Sequence, residues 1–425
     1  RRDRLESPTK HPNVTMRQFR FDPQGIRFLL YPEPRIRAGF DAPRLVRANA
    51  RPGSIAPGPA GRRMYVIDAR NKDPYRDPST GDYVWRPPYP RNKRRFDSVR
   101  PNAAGHFDSV VPRTRAFSSA AVFASVATVL QIWEHYLGRR VRWIIPGQQR
   151  RLEIIPRVPK LGDNAWSGDG YIEFGFAGAR PSQPYCENFD VVAHEVGHQI
   201  LKSVIGRAPE GRREFEHKSH EEASADLVSL VGELHFDRVV SRVLEQTKGK
   251  LFSVNLLSQI GEYRRGRSGR RAARLAFHDK TLADVARARK DGDKHTYAQP
   301  FLGAAFDILV EIYEDHLGRR GLISGDLARR STRASGASDP AIRREFAKRF
   351  RLNPDGFAEV LRDATADFAR LLALAWRKTR RTGASFSRVA ANMLAADATL
   401  NRGRYRRVIR RAFRRRRIVP RLRRP

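Results

Sequence analysis

Hydrophobic residues are spaced differently in the two halves of the chain. Through residue 110 they come in short alternating runs, at 26–31 and 64–67, separated by stretches rich in Pro, Gly and Arg. A period of two broken by turn formers predicts small strands joined by long loops. From Phe117 the period lengthens: Val122, Val126, Val129, Leu130 and Trp133 recur three and four apart, and Gly138 follows as a C-cap. That spacing predicts a helix. The runs 142–145, 152–155 and 171–176 predict strands, with 163–170 as a turn between the last two. A small sheet should therefore precede the next helix. Further helices are predicted from Asn188 or Asp190, from Ser219 through Leu234, and over 302–316, 355–378 and 386–400.

A strand-rich front and a helical back imply the α+β fold class. Four segments follow: a Pro- and Arg-rich strand-and-loop region at 1–110, a sheet with a helix at 111–205, a helical part at 206–400 and a basic tail at 401–425. No internal repeat of 20 to 50 residues stands out.

Composition supports real cores, since 40% of the 425 residues are hydrophobic, and this argues against wholesale disorder. The longest uncharged stretch, 116–133, contains five Ala and four Ser or Thr. It reads as a buried helix, and no transmembrane segment is expected. Cys186 is the single cysteine, so there is no internal disulfide and no Cys-based zinc knuckle. Any metal must rest on His and carboxylate. The chain opens on Arg1 rather than Met, which predicts a processed or truncated N-terminus and leaves the compartment open.

Charge adds a second theme. Lys and Arg number 83 against 45 Asp and Glu, a formal net charge of +38, which draws the chain to anionic partners. Residues 402–425 hold 13 Arg and no acidic residue. This tail is expected to be helical near 405–413, solvated beyond, and able to bind nucleic acid, acidic lipid or an acidic protein surface. No helix-turn-helix, finger or RNA-binding signature accompanies it.

The chemistry concentrates at residues 190–201, DVVAHEVGHQIL. On a helix, His194 and His198 project from one face and can reach one metal ion, with Glu195 beside the open coordination position. This is the HExxH zinc constellation. In SHEEASADL, Glu222 and Asp226 stand four apart on the following helix. Glu222 is the candidate third ligand, and Asp226 is placed to accept the N–H of a ligating histidine. Glu221 lies about 100° around that helix and is expected to face solvent. Histidines 11, 106, 135, 217, 220, 235, 278 and 316 are read as loop or surface residues without a role. The triplet Asn13-Val14-Thr15 and the scattered Asp291 and Asp293 are likewise given none.

HEVGH followed by EASAD resembles the gluzincin zinc metallopeptidases of the thermolysin-like or fungalysin-like kind. NAWSGDGYIEFG, at 164–175, is similar to the edge-strand segment before the zinc helix in that group; the resemblance implies that Asn164 and Ala165 bind the substrate backbone. HTYAQPFLGAAF, at 295–306, resembles the segment carrying the transition-state histidine, which implies that role for His295. The likeness covers 117–316. Departures are a longer interval between His198 and Glu222, with a charged insertion at 207–218, and no tyrosine in that interval to stabilise the oxyanion. Tyr297 is a candidate substitute. The family's substrate-carboxylate arginine should fall within 264–274, where no one residue is singled out. A metzincin would need Gly and His where Leu201 and Val204 stand, so that class is excluded.

The expected function is a Zn²⁺-dependent endopeptidase acting on peptide or protein substrates. His194, His198 and Glu222 would hold the metal, which lowers the pKa of a bound water towards about 7, with Glu195 as general base. The alternative is a basic polyanion-binding or assembly protein that retains a metallopeptidase fold with little or no turnover.

Overall fold

The computed structural model describes residues 18–420, apart from 36, 38, 78–79, 146, 148, 177–183, 212, 261–263, 267–268, 272–273, 333–338 and the side chains of 264–266 and 269–271. His11, the Asn13 triplet and the last five residues of the tail lie outside the described residues.

The front of the chain builds strands β1 (Ile26–Leu30) and β2 (Arg44–Ala48), an antiparallel pair, and β3 (Met64–Val66). Helix α1 (Arg115–Leu137) follows, started by Thr114, whose side chain accepts from the Phe117 N–H, and ended by Gly138 at φ 63°. A left-handed cap of this kind suits glycine, which has no Cβ to clash. Among the described residues α1 alone has the length and mean hydropathy, 1.6, of a bilayer span, and 89% of that window is buried inside the protein.

Strands β4 (Leu152–Ile155), β5 (Ala165–Gly168) and β6 (Tyr171–Phe174) join β3 in a mixed sheet ordered β3-β4-β6-β5. β3 and β6 run parallel to β4, and β5 runs antiparallel to β6. Two expectations are corrected here. Residues 142–145 form no strand: the Val141 N–H goes to the Glu134 carboxylate and that of Arg142 to the Ser203 hydroxyl. The turn placed at 163–170 contains the whole of β5, and the reversal itself needs only the residues around Gly170. The pattern misled because β5 reads Ala-Trp-Ser-Gly, with none of the β-branched residues that mark a strand.

The back is helical. Helices α2 (Phe189–Ile205), α3 (Glu214–Glu233) and α4 (Asp237–Thr247) are followed by small antiparallel pairs of β7 (Gln259–Ile260) with β10 (Arg274–Leu275) and β8 (Arg264–Gly266) with β9 (Gly269–Arg271). Then come α5 (Ala286–Lys290), α6 (Lys294–Arg319), α7 (Gly325–Arg330), α8 (Pro340–Leu352), α9 (Pro354–Arg377), α10 (Phe386–Asn401) and α11 (Arg406–Arg415). The molecule is thus mixed α+β, with small sheets and a helical C-terminal part. Helix α3 starts five residues before the expected Ser219, so the last five residues of the charged insertion are helical. Helix α6 starts eight residues before 302, with the Asp293 side chain accepting from the Thr296 N–H. Pro300 lies inside it, in its second turn. The tail beyond 413 is not simply solvated, because Arg416 and Ile418 are buried.

One contiguous apolar core runs from Ile26 to Ile418 and includes α1, α2, α3, α6 and α9. A second cluster, around Tyr75, Tyr89 and Tyr171, packs on the other side of the mixed sheet. There the fully buried Lys72 ammonium meets Glu173 at 2.8 Å. Burial pushes this amine down and this carboxyl up, each towards its neutral form.

Candidate metal centre

Helices α2 and α3 pack as antiparallel neighbours, so that moving forward from His194 to His198 on one means moving back from Asp226 to Glu221 on the other. Gly197 permits their close approach, since a Cβ at that position would lie 2.8 Å from the Ala225 Cα. The glycine in HEVGH thus serves the packing that brings a carboxylate between the two imidazoles.

The imidazole Nε2 atoms of His194 and His198 are 3.2 Å apart. Glu222 Oε2 faces both, at 3.4 and 3.8 Å, and one ligand atom from each of the three residues lies within 4.8 Å of the others. On the far side of each ring a carboxylate holds Nδ1, Asp226 at 2.8 Å from His194 and Glu221 at 2.8 Å from His198. An Nδ1–H donated to a carboxylate leaves the Nε2 lone pair directed into the cluster, as a metal-ligating histidine requires. Glu222 Oε2 is buried without a hydrogen bond among the described residues. A buried carboxylate oxygen beside two converging imidazole nitrogens could hold a divalent cation.

Electrostatics favour positive charge at the same point. Burial opposes ionisation of His194, yet the Asp226 and Glu222 carboxylates outweigh it and hold the imidazole up to about 10. Burial also opposes the carboxylates; Lys294 and the imidazoles nevertheless hold Glu222 well below its usual range, and His198 brings Glu221 to about 2. Asp226 is lowered chiefly by Arg274, against burial. Arg274 grips both of its oxygens, at 2.6 and 2.7 Å.

The sequence candidates meet in one cavity of about 1120 Å³. It is lined by His194, Glu195, His198 and Glu222, by Asn164 and Ala165, and by His295. Asp226 backs His194 from the protein side and is fully buried. His295, in the first turn of α6, places Nδ1 3.1 Å from Glu222 Oε2. Strand β5 is the edge of the mixed sheet, and Gln199 on α2 ties it down by donating to the Ser167 hydroxyl and the Gly168 carbonyl, both at 2.6 Å.

Other readings change. Glu221 does not face solvent; because α3 crosses an α2 face carrying histidines one turn apart, two adjacent residues of α3 each find an imidazole. Tyr297 does not line the cavity. It is buried, stacks on Phe386, and its hydroxyl accepts from Arg289. His106, His217, His220 and His316 are buried rather than superficial, and burial drives His220 down to about 3. Two cavity residues went unread in the sequence. Lys294 puts its ammonium 2.6 Å from Glu222 Oε1, and Arg274 stands among several arginines that nothing in the local pattern separates. No protein-family model matches the chain, and no curated protein matches it at a significant level.

Proposed function

We propose that the chain is a zinc-dependent endopeptidase with a gluzincin-type, thermolysin-like catalytic core. The observation that carries this reading is the convergence of His194, His198 and Glu222 from two helices, each imidazole backed by its own carboxylate, at the wall of an open cavity.

Zinc bound by these three side chains would supply Lewis acidity and a water acidic enough to deprotonate near neutral pH. Glu195, on the same helix and facing the same cavity, would take that proton and pass it to the departing amine nitrogen. The His295 imidazole, half exposed at the cavity wall, would donate a hydrogen bond to the carbonyl oxygen as negative charge develops there. The β5 edge, with Asn164 and Ala165 at its start, offers backbone groups to an extended peptide, which would add to the sheet as a further strand. The Asn164 side chain already accepts from the Ala165 N–H at 2.9 Å, so this N–H must exchange partners if it is to bind substrate.

The Lys294–Glu222 ion pair favours a second reading, a binding protein with little turnover, because an ammonium already neutralises the third ligand. Metal content and peptide cleavage, measured on the wild type and on Glu195→Gln, separate the two. The peptidase reading expects one zinc per chain in both proteins and cleavage in the wild type alone, reduced at least about 100-fold by the substitution. Zinc-free protein, or equal cleavage by both, would refute it.

A further inference from the structure

Helix α11 is built from two opposed faces. Ile409, Ala412 and Phe413 are buried, and the Phe413 ring packs at a tilt against that of Phe301 on α6, centroids 5.3 Å apart. Arg411 pairs with Glu311, and Arg415 and Arg416 reach Asp307 at 3.6 and 3.0 Å. These contacts fix the helix to the body of the protein. The outer face carries Arg407, Arg410 and Arg414, all exposed, and none of the three has an ion-pair partner among the described residues. Together with Arg411 and Arg415 they line a shallow groove of about 560 Å³ that no other residue type enters. Like charges three and four apart oppose helix formation. Here the packed inner face holds them in place, a rigid row of guanidinium forks suited to phosphate oxygens.

We propose that this face binds double-stranded nucleic acid through its phosphate backbone. Three features select that partner. The apolar side of α11 is already buried in the protein, so the helix has nothing to insert into a bilayer, as an interfacial helix must; among the described residues near it only Leu400 and Val419, one on each side, are exposed large apolar side chains. Its aromatic neighbours Tyr405 and Phe413 are also buried, leaving no platform on which the bases of a single strand could stack. Finally, Arg407, Arg410 and Arg414 follow one helix face without an interposed acidic residue, as binding to a regular row of phosphates requires. The proposal stands apart from the peptidase reading, because its residues lie outside the metal cavity.

The test is binding of the full chain to a 30-base-pair duplex over a salt series, with an equal-length single strand and phosphatidylserine-containing vesicles as parallel probes. Arg407→Gln/Arg410→Gln/Arg414→Gln should flatten the slope of log affinity against log salt by about 2.7, at roughly 0.9 for each phosphate that is no longer neutralised. A control removes equal charge from the exposed face of α8, Arg344→Gln/Lys348→Gln/Arg351→Gln, and should leave the slope within about 1 of wild type. Glutamine keeps helix propensity; if the triple variant loses circular-dichroism signal, the single Arg410→Gln should still lower the slope by about 0.9. Equal losses in the two triple variants would overturn the proposal in favour of diffuse charge. An unchanged slope in the α11 variants would overturn it outright, as would tighter binding to single strands or vesicles than to duplex.

Discussion

Asp226 shows how much a site depends on residues that touch no metal. It holds His194 Nδ1 at 2.8 Å and is itself clamped by Arg274, so a chain of three groups fixes one ring. Asp226→Asn keeps the size but removes the charge that orients and polarises the imidazole. Zinc affinity, measured by competition with a chelating dye, should fall 10- to 100-fold, as for other outer partners of metal ligands. An affinity unchanged by the substitution would mean that the ring is held by packing alone. Glu221 is the corresponding partner of His198, though the sequence placed it on the solvent side. Helical spacing gives angles around one axis only, and which angles are buried depends on the helix lying across it.

At the scale of elements, the decisive feature is the crossing of α2 and α3 at Gly197. A methyl group there would have to displace the backbone at Ala225, since the Cα is 2.8 Å from the ideal Cβ position. Gly197→Ala should therefore cost about 1 to 3 kcal/mol of stability despite the better helix propensity of alanine. Zinc affinity should weaken with it, as the carboxylate of Glu222 moves away from the imidazoles. Denaturant melts with and without zinc provide both readings. A stabilised variant would show that the helices have slack at this point. The long, apolar-rich helices α1, α2, α9 and α10 were legible in the sequence. Short α4 and α8 went unread although Val239, Val240, Val243 and Leu244, and Ile342, Phe346 and Phe350, stand at helical spacing, because each pattern is brief and set among charged residues; β5 lacks a strand pattern and depends on its sheet partner.

For the whole molecule, the core contains acidic groups that lie outside the His194, His198 and Glu222 cluster. Glu33, Asp190 and Glu233 are all buried, and Arg37 lies 3.3 Å from Glu33. Burial, only partly offset by Arg37, raises Glu33 to about 8 and Asp190 to about 6, and pushes Glu233 well above its usual range. A carboxyl raised on folding keeps its proton in the native state after the unfolded chain has lost it. Stability is therefore full below about pH 4.5 for this group and declines as pH rises through its folded value, by up to about 1.4 kcal/mol per pH unit for each retained proton. Thermal melts of metal-free protein between pH 5 and 8 should show this decline, and Glu33→Gln should flatten it. A variant whose melting temperature follows the wild-type pH dependence would place the linkage elsewhere.

The sequence by itself determined which side chains the candidate site could draw on. HEVGH and EASAD specify which imidazoles and carboxylates are available, and helical spacing determines that His194 and His198 share a face. It also determined the α+β class and the long helices, because a sustained apolar stripe has one stable solution. Only the tertiary structure decided which of the clustered arginines faces Asp226, that Lys294 sits on Glu222, that Tyr297 is turned away from the cavity, and that the basic tail is half anchored. Each of those outcomes depends on two segments far apart in the chain meeting at a specific angle and distance, and local periodicity carries no record of the partner.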